Sequence, residues 1–413
     1  MYGANEAGIP RTSETQPRYI RITDIDDFGC LKDGLGATAQ TIQSQYLLEE
    51  NDILFARSGT VGKTYIHRNI GYESFFAGYM IKFRVDSSKI LPYFVFLYTQ
   101  LDIYKEWVKA IQRTSVQPNI NAEEYKNLLI PIPPKEVQHQ IIDIMDNAYL
   151  LKAQKENEAK DILYSIDLYI LDELGIALPY KDTDLRHRIY TTKLSSISGK
   201  RFDCEYHQIY YKNLKNAIMH GKYNLSTLGK ITNTIKTGTT PHVSLNPFIE
   251  KSSIIFLRNS NLQKGEIILD NVRYVKEYLR DKLIYSNMNE VIICIAGTIG
   301  LSAVNNIGKI AINQNVSSLN LKEVANPYFV AYWLNSKISL EFFNREASVA
   351  TILYINNNIL LGIPIPLPPI EIQQKIVDEI NERKKKSLNL QKEAKDILQS
   401  ATTQVERILL GKQ

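Results

Sequence analysis

The nearest approach to catalytic chemistry in this sequence is Gly59–Thr60–Val61–Gly62–Lys63–Thr64, which has the Gly-Lys-Thr ending of a phosphate-binding loop. Such a loop needs another glycine five residues before the Gly-Lys pair, so that backbone N–H groups can wrap a phosphate, and Arg57 stands there. Asn246–Pro247–Phe248 is one proline short of the motif that holds an adenine for methyl transfer, and no glycine-rich cofactor loop accompanies it. His67, His139, His187, His207, His220 and His242 show neither HxxxH nor HExxH spacing. Glu156, Glu158 and Lys160 imitate part of a nuclease element but lie in a helical charge pattern with no Pro-Asp upstream. The chain is therefore expected to hold no metal and to do no chemistry itself.

Composition fits that reading. At 413 residues the chain exceeds one ordinary core, since single cores stop growing near ~250–300 residues. With 44% hydrophobic and 23% charged residues it is globular, and 49 basic against 44 acidic side chains give +5. That mild excess permits a polyanionic partner without requiring one. Cys30, Cys204 and Cys294 are widely separated, which suits a reducing cytoplasm and suggests packing residues. The N-terminal stretch has neither a basic nor an apolar signal region, so a soluble, unexported protein is expected.

What organises the chain is a repeat. Ile130–Pro131–Ile132–Pro133–Pro134 returns 235 positions later as Ile365–Pro366–Leu367–Pro368–Pro369, and Glu136–Val137–Gln138 returns as Glu371–Ile372–Gln373. At the same offset Glu158–Ala159–Lys160–Asp161–Ile162–Leu163 returns unchanged at 393–398, and Pro92–Tyr93–Phe94–Val95 at 327–330. Ser58–Gly59–Thr60–Val61–Gly62 matches Ala296–Gly297–Thr298–Ile299–Gly300, 238 positions on. The glycine stretch either turns a hairpin for its flanking strands or brings its backbone close to phosphates.

Each repeat predicts a strand-rich front part. Short buried strands are expected at 19–22, 52–55, 254–257 and 291–294, and helices starting at Pro92 and Pro327, where a proline's missing N–H costs nothing. After Pro134 the apolar residues Val137, Ile141, Ile144, Ala148 and Leu151 step by four and three, resuming at Ile162 and Tyr169. After Pro369 the stripe is Ile372, Ile376, Ile380, Leu390, Ala394, Ile397, Ala401, Val405 and Ile408. Each predicts a helix of about forty residues, ~60 Å long, whose narrow stripe needs a partner. The expected fold is α+β, two tandem mixed α/β domains each followed by a long helix, the two helices pairing as an antiparallel coiled coil. Boundaries follow as 1–133, 134–176 for the first helix, 177–200 for a linker, 201–368 and 369–413.

These strings resemble the specificity subunits of type I restriction–modification enzymes. The resemblance rests on Gln117–Pro118–Asn119–Ile120 and the proline runs, on Glu136–Val137–Gln138–His139–Gln140–Ile141 with its second copy, on Arg57–Ser58–Gly59–Thr60–Val61–Gly62–Lys63, and on Arg201–Phe202–Asp203–Cys204–Glu205–Tyr206. It spans essentially the whole chain. It implies a non-catalytic subunit that reads double-stranded DNA, one half of a split site per domain. The helices would fix the spacing and dock two modification subunits. S-adenosylmethionine, ATP and Mg would belong to the modification and restriction subunits.

Two departures stand out. The second copy has Ile352–Leu353–Tyr354–Ile355 where the first has Gln117–Pro118–Asn119–Ile120. About thirty-five residues, 201–236, have no counterpart ahead of Tyr2, so the first domain should lack a leading strand and helix unless an upstream start or the other end of the chain supplies them. Two other readings are the recognition half of a type IIG or BcgI-like system, and a coiled-coil scaffold with two protein-binding modules; salt-dependent duplex binding separates the scaffold from the rest.

Base readout needs Arg, Lys, Asn or Gln near strand ends. Arg18, Arg21, Arg57 and Lys63 qualify in the first domain, and Arg258, Asn259, Asn261 and Lys264 in the second.

Overall fold

The computed structural model describes residues 1–68, 70–111, 118–182, 184, 191, 193–198, 201, 204–349 and 353–411. Gln117, His187, Phe202, Asp203 and Ile352 lie outside them. The chain forms two compact units, residues 1–158 with 389–413, and residues 159–388. The long helices, Lys135–Glu173 and Ile370–Leu409, each contribute to both. Among the described residues no helix is long and apolar enough to cross a membrane.

In the first unit the strand Ile53–Ala56 lies antiparallel between Thr64–Ile66 and Met80–Phe83. All four of its side chains are buried, which is why the sequence there is a continuous apolar run instead of an alternation. A second sheet places Ile9–Pro10, Ala37–Thr38, Arg18–Ile20 and Ser74–Phe76 side by side, the last two parallel. The helices Pro92–Tyr98, Asp102–Ile111 and Ala122–Lys126 close the core, where Ile53, Phe94, Leu97 and Tyr104 pack with Ile141 and Met145 of the first long helix and Ala401 and Val405 of the second.

The second unit repeats this plan. Val291–Cys294 lies between Ser302–Val304 and Val316–Leu321, and Ile254–Leu257 pairs in parallel with Ile310–Ile312. Pro327–Asn335, Lys337–Glu346 and Asn357–Leu361 are the helical counterparts. The unit also carries the helix Ile209–Met219 and the strand Thr232–Thr237, which edges Val316–Leu321. At that place in the first unit, Tyr2 bridges Ile81 and the Met1 ammonium donates to the Lys82 carbonyl. A further match then appears. A Cβ on Gly3 would come 2.4 Å from the Ala77 carbonyl oxygen, and one on Gly238, 235 positions on, would come 2.1 Å from that of Ile312. Both are backbone crossings that only glycine fits.

The proline runs are tied to the helices by one side chain in each repeat. Gln138 is fully buried; its Oε1 accepts the Leu91 N–H at 2.8 Å and its Nε2 donates to the Pro133 carbonyl at 2.8 Å. Gln373, equally buried, accepts the Asn326 N–H at 2.8 Å and donates to the carbonyls of Pro368 and Val324. The repeated Glu-x-Gln string is thus a fastening between the first turn of a long helix and the start of a domain helix.

The long helices run antiparallel within each unit. In the first, Lys155 pairs with Glu393 at 2.7 Å, while Val137 and Ile141 share a core with Val405 and Ile408. In the second, Ser387 donates to the Ala159 carbonyl, Arg383 to Ser165 Oγ, and Lys375 pairs with Glu173. The buried stripe departs from the expected seam: Met145 is buried and Leu151 is 46% exposed. A helix with 3.6 residues per turn drifts away from a strict seven-residue register, so Leu151 has turned off the interface. The cysteines differ too. Cys294 is buried as a packing residue, whereas Cys30 and Cys204 are exposed.

Replacing Gln138 by Leu would leave the Leu91 N–H and the Pro133 carbonyl without partners, and each orphaned group costs about 1–3 kcal/mol. Urea unfolding should show the Gln138→Leu chain less stable by about 2–4 kcal/mol. Gln140→Leu, at an exposed position, should stay within about 0.5 kcal/mol of the parent.

Candidate nucleic-acid interface

In each unit a strand of the second sheet is followed directly by an arginine and then by one turn of 3-10 helix. Arg21 precedes Ile22–Asp24, and Arg258 precedes Asn259–Asn261. The fourth residue closes the turn, because Asp24 Oδ2 accepts the Arg21 N–H at 3.0 Å and Asn261 Oδ1 accepts the Arg258 N–H at 3.1 Å. The backbone then doubles back. Lys32 N–H reaches the Asp24 carbonyl, and Ile268 N–H reaches that of Asn261. These are one motif in two copies.

The glycine turn meets this motif. Lys63 Nζ donates to the Ile25 carbonyl at 3.1 Å and pairs with Asp27 at 3.1 Å. In the second unit the glycine turn approaches from the same side, and a Cβ on Gly297 would come 3.4 Å from Asn259 Nδ2. The glycine turn is also held by the segment after the second domain helix. Ser58 bridges Asn119 while Ile120 N–H reaches the Arg57 carbonyl; Ala296 bridges Tyr354 while Ile355 N–H reaches that of Ile295. The attachment is made by backbone, so Asn119 and Tyr354 occupy the same place with unlike side chains.

The two glycines of each turn differ in their reason. Gly59 and Gly62 both have positive φ, but a Cβ on Gly59 meets open space, whereas one on Gly62 would lie 2.7 Å from Val108. Gly300 likewise faces Phe343 at 2.5 Å. The second glycine serves packing of the turn on a domain helix; the first leaves an exposed backbone loop.

The eight candidate residues fall into distinct settings. Arg18 is 5% exposed, its guanidinium turned in to Tyr72 Oη and the Lys32 carbonyl. Arg21 forms a two-point ion pair with Asp24, 2.9 Å on each arm, and this contact raises its pKa further. Arg57 lies over the Tyr2 ring, 4.8 Å from its centroid. Lys63 is mostly covered and paired as above. Arg258 donates to the Asn271 carbonyl at 3.2 Å, and its Nε is buried without a partner. Asn259 is half-buried beside the glycine turn, and Asn261, 2% exposed, donates to the Ile268 carbonyl. Lys264 is exposed, 3.9 Å from Asp167. The structure thus brings Arg258, Asn259 and Asn261 into one turn. Asp24, which decides the charge of the matching turn, was absent from the sequence candidates although its spacing from Arg21 equals that of Asn261 from Arg258.

A family model described as the type I restriction modification DNA specificity domain matches residues 31–161 and 220–398. The chain belongs to this family. Both matched segments run past the proline run into a long helix, so the specificity domain includes the glutamine fastening. The type I restriction enzyme EcoBI specificity subunit of Escherichia coli is 22% identical over 154 residues, covering 36% of this chain and 32% of that subunit. The MjaVIII specificity subunit of Methanocaldococcus jannaschii is 21% identical over 404 residues, covering 92% of this chain and 83% of that one. A solved chain from work on complex assembly and conformational transition of the type I R-M system shares the fold, with a TM-score of 0.60 at 14% identity over 99% of this chain and 95% of its own.

Alanine at the two turn glycines should separate conformation from packing. Gly59→Ala bears only the left-handed backbone penalty of about 1–2 kcal/mol, while Gly62→Ala adds overpacking against Val108 of about 1–3 kcal/mol. The midpoint of urea unfolding is expected to fall further for Gly62→Ala; equal shifts would contradict the packing account.

Proposed function

We propose that this chain is the DNA-reading subunit of a type I restriction–modification complex, each unit reading one half of a split duplex site. The carrying observation is the duplicated arginine turn seated against a glycine turn in a specificity-family chain. Among the eight candidates, the buried Arg18 and Asn261 support the turns and Arg21 is taken up by its ion pair with Asp24, while Arg57, Lys63, Arg258, Asn259 and Lys264 are proposed for the DNA face. Methyl transfer is assigned to two modification subunits with S-adenosylmethionine, and cleavage to restriction subunits with ATP and Mg. The long helices are proposed to dock the modification subunits and to set the half-site spacing. A cytoplasmic location suits such a complex.

The purified chain should transfer no methyl group to DNA from S-adenosylmethionine, and transfer should appear when modification subunits are added. Phosphate contacts release counterions, so duplex affinity of the assembled complex should fall steeply between 50 and 200 mM salt. Salt-independent binding, or none, would favour the scaffold reading; methyl transfer by the chain alone would remove the division of labour.

Domain exchange tests the half-site assignment, and the structure dictates where to cut. The Ile103 N–H, at the start of Asp102–Ile111, is accepted by Glu406 of the second long helix at 3.1 Å. Replacing 1–133 by the matching part of a relative should therefore change one half-site only if residues 389–413 travel with it. Mapping methylated sites in cells carrying the hybrid would show one altered and one retained half-site; loss of both in an assembled complex would refute independent reading.

A further inference from the structure

We infer that Arg258 is a DNA-contacting cation of the second unit and that Arg21, its counterpart in the first, is held off DNA by Asp24. This rests on the DNA-reading proposal above and deepens it. The two arginines occupy the same place: each directly follows a strand paired in parallel with its neighbour, precedes a single 3-10 turn, and gives its N–H to the side chain three residues on. Backbone and capping bond are shared, so any difference between them comes from side-chain chemistry.

That difference is one atom. Asp24 presents two carboxylate oxygens and holds Arg21 Nε and Nη2 at 2.9 Å each, in a partly shielded pair with the carboxylate 11% exposed. A bidentate carboxylate consumes one edge of the guanidinium and cancels its charge. Asn261 keeps the oxygen that caps the turn but has an amide in place of the second oxygen, and that amide faces the Ile268 and Asp270 carbonyls. Arg258 has no ion pair among the described residues. Its single hydrogen bond there is from Nη2 to the Asn271 carbonyl, Nε is buried without a partner, and the charge stands uncancelled.

A guanidinium fixed at one end and uncompensated at the other fits a pair of acceptors on DNA, either the O6 and N7 of guanine or two phosphate oxygens. Asn259, the next residue, lies beside Gly297 of the glycine turn and adds an amide next to it. The repeats thus differ by a built-in charge switch at one position.

The test uses the complex assembled with modification subunits and a duplex carrying the site mapped by methylation. Arg258→Gln should weaken binding about tenfold, within the range of one good bidentate contact, whereas Arg21→Gln should change it less than twofold. Asp24→Asn copies the side chain that already closes the second turn, so it should keep the fold, free Arg21, and raise affinity with a salt slope steeper by about one. If Arg258 meets a base, Arg258→Gln relaxes one position of the second half-site with an unchanged salt slope; if it meets phosphate, affinity falls evenly across sequences and the slope drops by about one. Unchanged binding by Arg258→Gln, equal losses at Arg21 and Arg258, or no gain from Asp24→Asn would overturn the assignment. Failure of the parent complex to bind the duplex at all would instead overturn the DNA-reading proposal.

Discussion

The rest of the architecture hangs on a buried glutamine in the first turn of each long helix. Gln138 and Gln373 each stand where a domain helix begins, a proline run ends and a long helix starts, and each supplies an acceptor to the first and donors to the second. No other side chain does this at that length without charge: glutamate has no donor, lysine no acceptor, and leucine would orphan buried backbone groups. The proline run explains the need. Prolines 131, 133 and 134 remove N–H groups and force extended backbone; the Pro134 carbonyl accepts from the first turn of the long helix, and the Pro133 carbonyl is taken by the glutamine. That amide, reaching back to Pro133, fixes the angle at which helix leaves domain, and a fixed exit angle is what lets a long helix carry position from a domain.

What the sequence made legible follows from how each element is specified. The fastening was visible as a repeated Glu-x-Gln string because its chemistry demands one residue type. The strands 254–257 and 291–294 were visible because a doubly buried strand must be continuously apolar. The match of Gly3 to Gly238 was invisible because a lone glycine carries no pattern, and its reason, a carbonyl oxygen that any Cβ would meet at under 2.5 Å, exists only in three dimensions. The kinship of Asn119 and Tyr354 was hidden because backbone does the pairing there, leaving the side chains free to diverge. The turn at Arg21 and Arg258 was half visible: the arginines were flagged, but Asp24 and Asn261 share only one oxygen in common function, and the consequence of the other atom is electrostatic.

Each repeat's second domain helix starts beside a carboxylate on the long helix that the other repeat contributes: Glu406 accepts the Ile103 N–H, and Asp167 lies close to Lys337, the first residue after the Ser336 cap. Burial outweighs this contact and the nearby Lys264 and Lys337 charges at Asp167, whose pKa is raised. These carboxylates are not aligned in the repeat, since Asp167 corresponds to Thr402 at the 235 offset. Both helix starts thus have an acid nearby at unaligned positions, which suits a contact governed by the partial positive charge of a helix N-terminus and not by register.

Modularity in this fold is therefore a property of units and not of repeats. A repeat as read along the sequence ends with its own long helix, yet the unit that packs as one core takes its final helical turns from the opposite end of the chain, through Ala401 and Val405 in the first. A change within residues 389–413 is consequently felt by the first recognition domain, some three hundred positions away in sequence, as the Glu406 to Ile103 bond shows. Variation that alters DNA reading can collect in the short turns, where Asp24 and Asn261 already differ although both are largely covered. The helices, each contributing to two cores at once, are constrained on both sides. Glu158–Leu163, where the first helix passes from one unit to the other, recurs without a single change at 393–398, a few residues beyond the place where the second helix does the same.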